Sequence, residues 1–431
     1  MHSEQPKVLH KIAAVPMLGH VMNIAAQIDA DKMVIVVGHG AALVEKLALD
    51  IDPACEIVTQ AEQNGTGHAV AQAATALQNF TGDALVLYGD TPLVRPDTLN
   101  AMIQKRQAGV DVVVLGFDAA DPGRYGRLIE QNGALTAIVE AKECSASQLE
   151  IGFCNSGVVC APSELLFSLL ADVSANNASG EIYLTDIVEI ANKRGLSCAA
   201  IKCAESETLG VNSRHDLAQA EAAFQRTARA DAMQNGVTLT APETVFFALD
   251  TVLGRDVTIE PNVFFGPDVS VENNVTIKAN CHLEGCHISK NAQIGPFARL
   301  RPGAEIGGNA RIGNFVEIKA AQVDQGAKIG HLAYVGDAHI GEETNIGAGV
   351  IFCNYDGVSK HKSTIGRNAF IGSNTALVSP VNVGDNAMIG SGSVITKNVP
   401  ADDLAIARSR QENKAGMGKR LMDRLRSLKA K

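Results

Sequence analysis

From Val257 to Ile395 an aliphatic residue, or one Cys or Phe, recurs at almost every sixth position. One run reads Val257, Val263, Val269, Val275 and Cys281, and the next Ile288, Ile294, Leu300, Ile306, Ile312 and Ile318. Five-residue steps then introduce Val323, Ile329, Val335 and Ile340, Ile346, Phe352. The last run is Ile365, Ile371, Leu377, Val383, Ile389 and Ile395. Gly often follows, as at Gly295, Gly307, Gly313, Gly330, Gly347, Gly366 and Gly390. Six steps of about 100° do not return a helix to the same face, whereas six is in phase with a strand's two-residue alternation. The small residue after each apolar one permits a tight corner. A period this regular predicts a solenoid whose coils bury one another's inward side chains, the reading given to hexapeptide repeats. The competing architecture is a sandwich with evenly spaced strands.

At 431 residues the chain has room for two or three domains. A hydrophobic fraction of 46% with 19% charged residues is that of an ordinary globular protein. No stretch has the length of a membrane span, and MHSEQPKVLH is not an apolar signal region. Nine scattered Cys, without a CxxC pair, suggest reduced thiols in a cytoplasm and neither disulfides nor zinc. A net charge of −10 argues against a general nucleic-acid binder. The Lys- and Arg-rich segment from Arg408 to Lys431 reads as a solvated tail, Arg408 itself excepted.

Before residue 230 the rhythm differs. Strand-like runs at Met33–Val37, Ala84–Tyr88 and Val110–Leu115 alternate with helix-compatible stretches such as Gly67–Gln78, which predicts an α/β domain with a largely parallel sheet. The run Leu85-Val86-Leu87-Tyr88-Gly89-Asp90 ends in a carboxylate at the strand's carboxyl edge, where ligands bind in such sheets. A strand-end Asp is also common as a helix cap. Ser213 followed by Asp216 resembles a capping box opening a connecting helix, with the boundary near Asn235–Gly236.

Local strings add a further constraint. PKVLH (Pro6–His10), QAEQNGTGHA (Gln60–Ala69), YGDTPL (Tyr88–Leu93), GRYGR (Gly123–Arg127), IVEAK (Ile138–Lys142), NSG (Asn155–Gly157) and GVNSR (Gly210–Arg214) occur in that order ahead of the solenoid. Together they resemble the bacterial bifunctional N-acetylglucosamine-1-phosphate uridylyltransferase/glucosamine-1-phosphate N-acetyltransferases, over nearly the whole chain. The resemblance implies an α/β fold class: a Rossmann-like nucleotidyltransferase domain over 1–212, a linker helix over 213–235, and a left-handed parallel β-helix acetyltransferase domain over 236–431. The handedness comes from the resemblance, since parallel crossovers in general favour the right hand.

For nucleotidyl transfer the resemblance implies Asp90 and Asn212 as Mg²⁺ ligands, an all-oxygen pair suited to that hard ion. Lys7 would neutralise phosphate. Gln60, Gly65 and Thr66 would contact the uracil end, and Tyr88, Gly89, Gly126, Glu140 and Asn155 would line the nucleotide-sugar site. The family opens with a strand and a Gly-rich loop, LAAGxGTRM, and Met1 aligns with its final Met. The expectation is therefore that the chain as written is poor at uridylyl transfer, that a sheet without this strand has unpaired backbone, and that the native protein begins further upstream.

For acetyl transfer the solenoid itself offers a clue. Thirteen residues separate Phe352 from Ile365, and the polar insert Cys353-Asn354-Tyr355-Asp356-Gly357-Val358-Ser359-Lys360-His361 is not required for stacking. Acetylating an amine needs a base and donors for the thioester oxyanion. His331 in GHLAY resembles the family's base; on residue type alone a His on a coil is more often a surface residue, and His282, His287, His339 and His361 are left as structural. The resemblance assigns the sugar phosphate to Arg301, Lys319, Tyr334, Asn345 and Lys360, and acetyl-CoA to Ala348, Asn354, Tyr355, Ser373, Ser391 and Arg408. Ser373 or Asn354 could serve the oxyanion. A homotrimer with sites between chains is implied as well. The resulting reading is a cytoplasmic enzyme that acetylates glucosamine 1-phosphate from acetyl-CoA and then transfers uridylyl from UTP, using Mg²⁺. This feeds peptidoglycan and lipopolysaccharide synthesis. Its rivals are an acetyltransferase alone, or a non-catalytic sugar-nucleotide-binding solenoid.

Overall fold

The computed structural model describes residues 1–175 and 180–430; Lys431, the end of the basic tail, lies outside them. The chain divides into two compact units, Met1–Ala228 and Arg229–Lys431. The division falls inside the helix Arg214–Gln234, not at its end. The Ser213–Asp216 capping box forms in full: the Ser213 amide donates to Asp216 Oδ2 at 2.8 Å and the Asp216 amide to Ser213 Oγ at 3.1 Å.

Beside a two-residue antiparallel pair, Lys11–Ile12 with Val15–Pro16, eight further strands are described in the first unit: β1 (Val34–Val37), β2 (Glu56–Thr59), β3 (Asp83–Val86), β4 (Val112–Asp118), β5 (Arg127–Gln131), β6 (Ala134–Val139), β7 (Phe153–Pro162) and β8 (Cys198–Cys203). The larger sheet runs β8-β4-β7-β5-β6, with β3 also paired to β7. It is mixed and not largely parallel: β8–β4 is parallel, whereas β7 runs antiparallel to β3, β4 and β5. The chain reaches β7 by way of the β5–β6 hairpin and a short helix, and an apolar run carries no signal of its direction. Strand β4 is buried on both faces. Val113 and Leu115 pack with Leu99, Met102 and Cys160, while Val112 and Val114 pack with Val159, Leu166, Leu169 and Ile187. Among the described residues β1 pairs only with β2, and β3 only with β7, so each has an edge of unpaired backbone. The helix expected over Gly67–Gln78 covers only Thr66–Ala71; beyond it Ala73, Ala74 and Gln78 donate three residues back, as in successive turns.

In the second unit the six-residue period produces two sheets of parallel strands, one of ten and one of fourteen. Ile294 lies opposite Ile312, then Ile329, Ile346, Ile371 and Ile389, so each coil covers its like. Every residue of the runs from Val257 to Ile395 is 4% exposed or less. The fold is a parallel β-helix, sealed by side chains each worth about 1.5–3 kcal/mol when buried.

The glycines act differently from the corner role expected of them. Most are not in the left-handed region; a Cβ on Gly307 would come within 2.7 Å of Asp324 backbone, and one on Gly347 within 2.7 Å of the Ile371 carbonyl. They permit close approach of the next coil. The left-handed corners are taken mostly by Asn and Asp, among them Asn262, Asp268, Asn274, Asn280, Asn291, Asn309, Asn374 and Asn386, the types that best tolerate that conformation after Gly.

Ile318 and the exposed Arg311 test this packing. Ile318→Ala is expected to lower the solenoid's unfolding free energy by about 2–5 kcal/mol in urea followed by circular dichroism. Arg311→Ala should stay within about 0.5 kcal/mol. An equal response at both positions would contradict the stacking account.

Candidate active sites

In the first unit the polypeptide leaves β3 and turns at Asp90, where the Thr91 amide donates to the Tyr88 carbonyl at 3.1 Å. The Val211 amide donates to the Asp90 carbonyl at 2.9 Å and so draws the distant Asn212 alongside. Lys7, from the short turn Lys7–Leu9, enters between them. Its ammonium donates to Asp90 Oδ2 at 2.5 Å and to Asn212 Oδ1 at 2.8 Å. Two oxygens from separated segments thus already converge on a cation. That donor set fits Mg²⁺, which favours oxygen and keeps several waters when few protein ligands are offered. Among the described residues no group of three or more His, Cys, Asp or Glu forms a denser metal site.

The remaining expected residues of this unit fall into local groups. Gln60 Nε2 donates to the Gly65 carbonyl at 3.1 Å, and the Leu184 amide donates to Thr66 Oγ1 at 3.1 Å. Gly65, at φ 107°, lies so close to Ile182 that a Cβ would come within 2.5 Å of its carbonyl oxygen. Burial pushes the Tyr88 hydroxyl up to about 12, and its ring lies against Gly157, where a Cβ would stand 2.8 Å away. Gly89 approaches Val8. The Asn155 amide donates to the Gly126 carbonyl at 2.8 Å, and Glu140 flanks Gly126 while accepting from Thr185 at 3.3 Å. Burial raises the Glu140 carboxyl as well.

The second unit arranges its expected residues by register. Two positions beyond the stacked isoleucines, Asn314, His331, Ala348, Ser373 and Ser391 follow one another up a single corner. The Gly349 amide donates to the His331 carbonyl at 3.3 Å and the Gly392 amide to the Ser373 carbonyl at 2.8 Å, which confirms the stacking. Arg408 lies beside Gly392. Asn345 pairs with Lys328 and Phe370 on neighbouring coils.

A second group occupies the adjoining face. Arg301 donates to Glu317 Oε1 at 2.7 Å. Lys319 lies level with Gly336, two residues beyond Tyr334, and Asn354 Nδ2 donates to the Tyr334 hydroxyl at 3.4 Å. The adjacent Lys319 ammonium holds Lys360 below its ordinary value, while the Asp337 carboxylate acts in the opposite sense. Two cations brought this close disfavour one another, and an anion bound beside them would relieve that repulsion. The inserted loop is pinned from within. Asp356 accepts from the Val358 and Ser359 amides at 2.8 and 2.7 Å and from His361 Nε2 at 2.7 Å, and the His361 bond foremost holds its carboxyl below the carboxylate range. Tyr355, exposed, donates to the Gly357 carbonyl at 2.6 Å.

Sequence reasoning passed over the supporting partners: Asn314 on the His331 ring, Glu317 on Arg301, Asp337 on Asn354, and Thr185 on Glu140. For Asn314 and Glu317 a signal existed, since they stand seventeen residues before His331 and Tyr334, one coil of the repeat.

The region 1–179 matches the model of the MobA-like NTP transferase domain, and 250–285, 285–320 and 362–397 match that of the bacterial transferase hexapeptide repeat. The chain is 57% identical over 430 residues to the bifunctional protein GlmU of Ruegeria sp. (strain TM1040), covering 100% of this chain and 96% of that protein. It is 56% identical over 431 residues to the protein of that name from Roseobacter denitrificans, with the same shares, and 57% over 430 residues to that of Cereibacter sphaeroides, covering 100% and 94%. Among the described residues no helix is long and apolar enough to cross a membrane.

Asp186 supplies a pH-dependent test of the Glu140 neighbourhood. Burial, then Glu143, Glu189 and Glu140, push its carboxyl from 3.8 up to about 6. A carboxyl raised on folding adds stability that is complete below its unfolded value and is lost as pH rises through its folded value. Asp186→Asn should therefore raise the thermal unfolding midpoint near about pH 8 and leave it little changed near about pH 4. A larger gain at the acidic end would reverse the sign and refute the assignment.

Proposed function

Because the chain belongs to the family of bifunctional GlmU proteins, we propose that its two units carry the two steps of UDP-N-acetylglucosamine synthesis at the residues described above. The chain is a transferase of both kinds: it acetylates glucosamine 1-phosphate and transfers uridylyl to N-acetylglucosamine 1-phosphate. The observation that supports the assignment of residues is the pairing of Lys319 with Lys360 on the face that follows the corner bearing His331, with Arg301 placed one coil before Lys319 by register.

In acetyl transfer the cations Arg301, Lys319 and Lys360 hold the sugar's phosphate, Tyr334 and Asn345 contact the sugar, and its amine is set near His331. The amine nitrogen bonds to the thioester carbon while His331 takes its proton. The carbon–sulfur bond then breaks and the CoA thiolate leaves. Ser373 or Asn354 donates to the oxyanion. Ala348, Tyr355, Ser391 and Arg408 hold CoA. In uridylyl transfer a phosphate oxygen of N-acetylglucosamine 1-phosphate attacks the α-phosphorus of UTP and pyrophosphate departs. Asp90 and Asn212 would hold Mg²⁺, which when bound neutralises charge on the phosphates. Lys7 adds a second positive charge, Gln60, Gly65 and Thr66 orient the base, and Tyr88, Gly89, Gly126, Glu140 and Asn155 accommodate the sugar.

The assembly we propose is a cytoplasmic homotrimer of side-by-side solenoids. Supporting it is an exposed apolar corner: Phe297 stacks on Phe315 at 5.1 Å between ring centres, and Leu332 follows on the next coil.

Two substitutions separate the units. His331→Ala should lower CoA release with glucosamine 1-phosphate by about 100-fold or more while pyrophosphate release from UTP is unchanged. Asp90→Ala should do the reverse. CoA release unchanged in His331→Ala would overturn the reading of His331 as the base, and no CoA release by the parent chain would favour a non-catalytic solenoid.

A further inference from the structure

His331 ends the strand Lys328–His331, and Leu332 turns the corner in the left-handed region at φ 52°. One coil away Asn314 ends Arg311–Asn314, and Phe315 makes the same turn at φ 55°. Parallel register sets Asn314 opposite His331, and the Leu332 amide donates to the Asn314 carbonyl at 2.9 Å. One position earlier the coils lie so close that a Cβ on Gly313 would strike the Gly330 backbone. The two side chains are thus held side by side by backbone with no room to slide. They meet in a hydrogen bond between the Asn314 amide oxygen and His331 Nδ1, the one partner of this ring among the described residues.

An amide oxygen accepts and cannot donate. The bond therefore requires the proton of the neutral imidazole on Nδ1 and leaves the lone pair on Nε2. Three other histidines of the solenoid face carboxylates instead: His287 with Glu272 at 3.2 Å, His339 with Asp324 at 2.7 Å and His361 with Asp356 at 2.7 Å. A carboxylate favours the imidazolium, which has no lone pair to act as a base, whereas an amide orients the ring without adding charge.

We propose that Asn314 is a positioning residue for acetyl transfer, fixing His331 in the Nδ1–H tautomer so that Nε2 takes the proton from the attacking amine. This rests on the reading of His331 as the base. Its action is on a group that touches substrate, and among the described residues the side chain of Asn314 is hydrogen-bonded to that group.

The test is steady-state acetyl transfer by the full chain from about pH 6 to 9 for Asn314→Ala, Asn314→Asp and His331→Ala. Asn314→Ala should lower kcat by about 10- to 100-fold with both KM values within about two-fold. Asn314→Asp keeps the acceptor and excludes a donor, so it should recover most of the lost rate at high pH, with the acidic limb moved up by about one pH unit. A kcat within about two-fold of the parent in Asn314→Ala would overturn the proposal, as would an Asn314→Asp enzyme equally slow on an unshifted profile. Should the alanine variant fail to fold, the pH profile of Asn314→Asp carries the test alone. Full activity in His331→Ala overturns the base reading and the proposal with it. Loss there beside an indifferent Asn314→Ala overturns only the positioning role.

Discussion

Each inward aliphatic side chain of the solenoid rests on its counterpart one coil away, Ile312 on Ile294 and Ile329 on Ile312, and the functional side chains of the second unit inherit their positions from that register. A strand's side chains alternate between faces, so a slip of one residue would turn the buried isoleucines outward and carry His331 off its corner. Burial opposes the slip, and glycines such as Gly307 and Gly347 let the coils close onto one another without a Cβ between them. The rigidity that results is what the proposed site, drawn from five different coils, would need.

Where the register is interrupted, chemistry collects. The segment between Phe352 and Ile365 leaves the stack, is tied by Asp356 to its own amides and to His361, and brings Lys360 back against Lys319. Two like charges side by side disfavour one another, and the fold holds them there; an anion between them relieves that repulsion. In the first unit the relation is inverted. Asp90 and Asn212 present oxygen to a cation, and the ammonium of Lys7 answers them. The two arrangements are electrostatically opposite, and they match the opposite needs of the roles proposed for them, a substrate's phosphate in one and a metal beside a nucleotide in the other.

Much of this was legible beforehand because it is periodic or local. The six-residue recurrence reports burial directly, and the capping pair Ser213 and Asp216 sits within one helical turn. The parallel sheet expected of the first unit was wrong for a physical reason: apolar runs report that Val112–Asp118 and Phe153–Pro162 are buried, and say nothing of their running antiparallel. The glycine role was similarly misplaced, since a Gly after an inward residue looks the same whether it turns a corner or admits a neighbouring coil. The site residues were named through resemblance, and their partners Asn314, Glu317 and Asp337 were not, because a supporting amide or carboxylate has no motif of its own.

The sequence by itself determined that the second half stacks, which residues point inward, and which kinds of chemistry its charged and titratable residues could serve, since those properties belong to spacing and side-chain type. Only the tertiary structure decided that Lys7 stands between Asp90 and Asn212, and that the ring of His331 leans on the amide of Asn314. A contact between residues far apart in the chain depends on how strands pair and how closely coils approach, and both are settled by packing the whole unit at once.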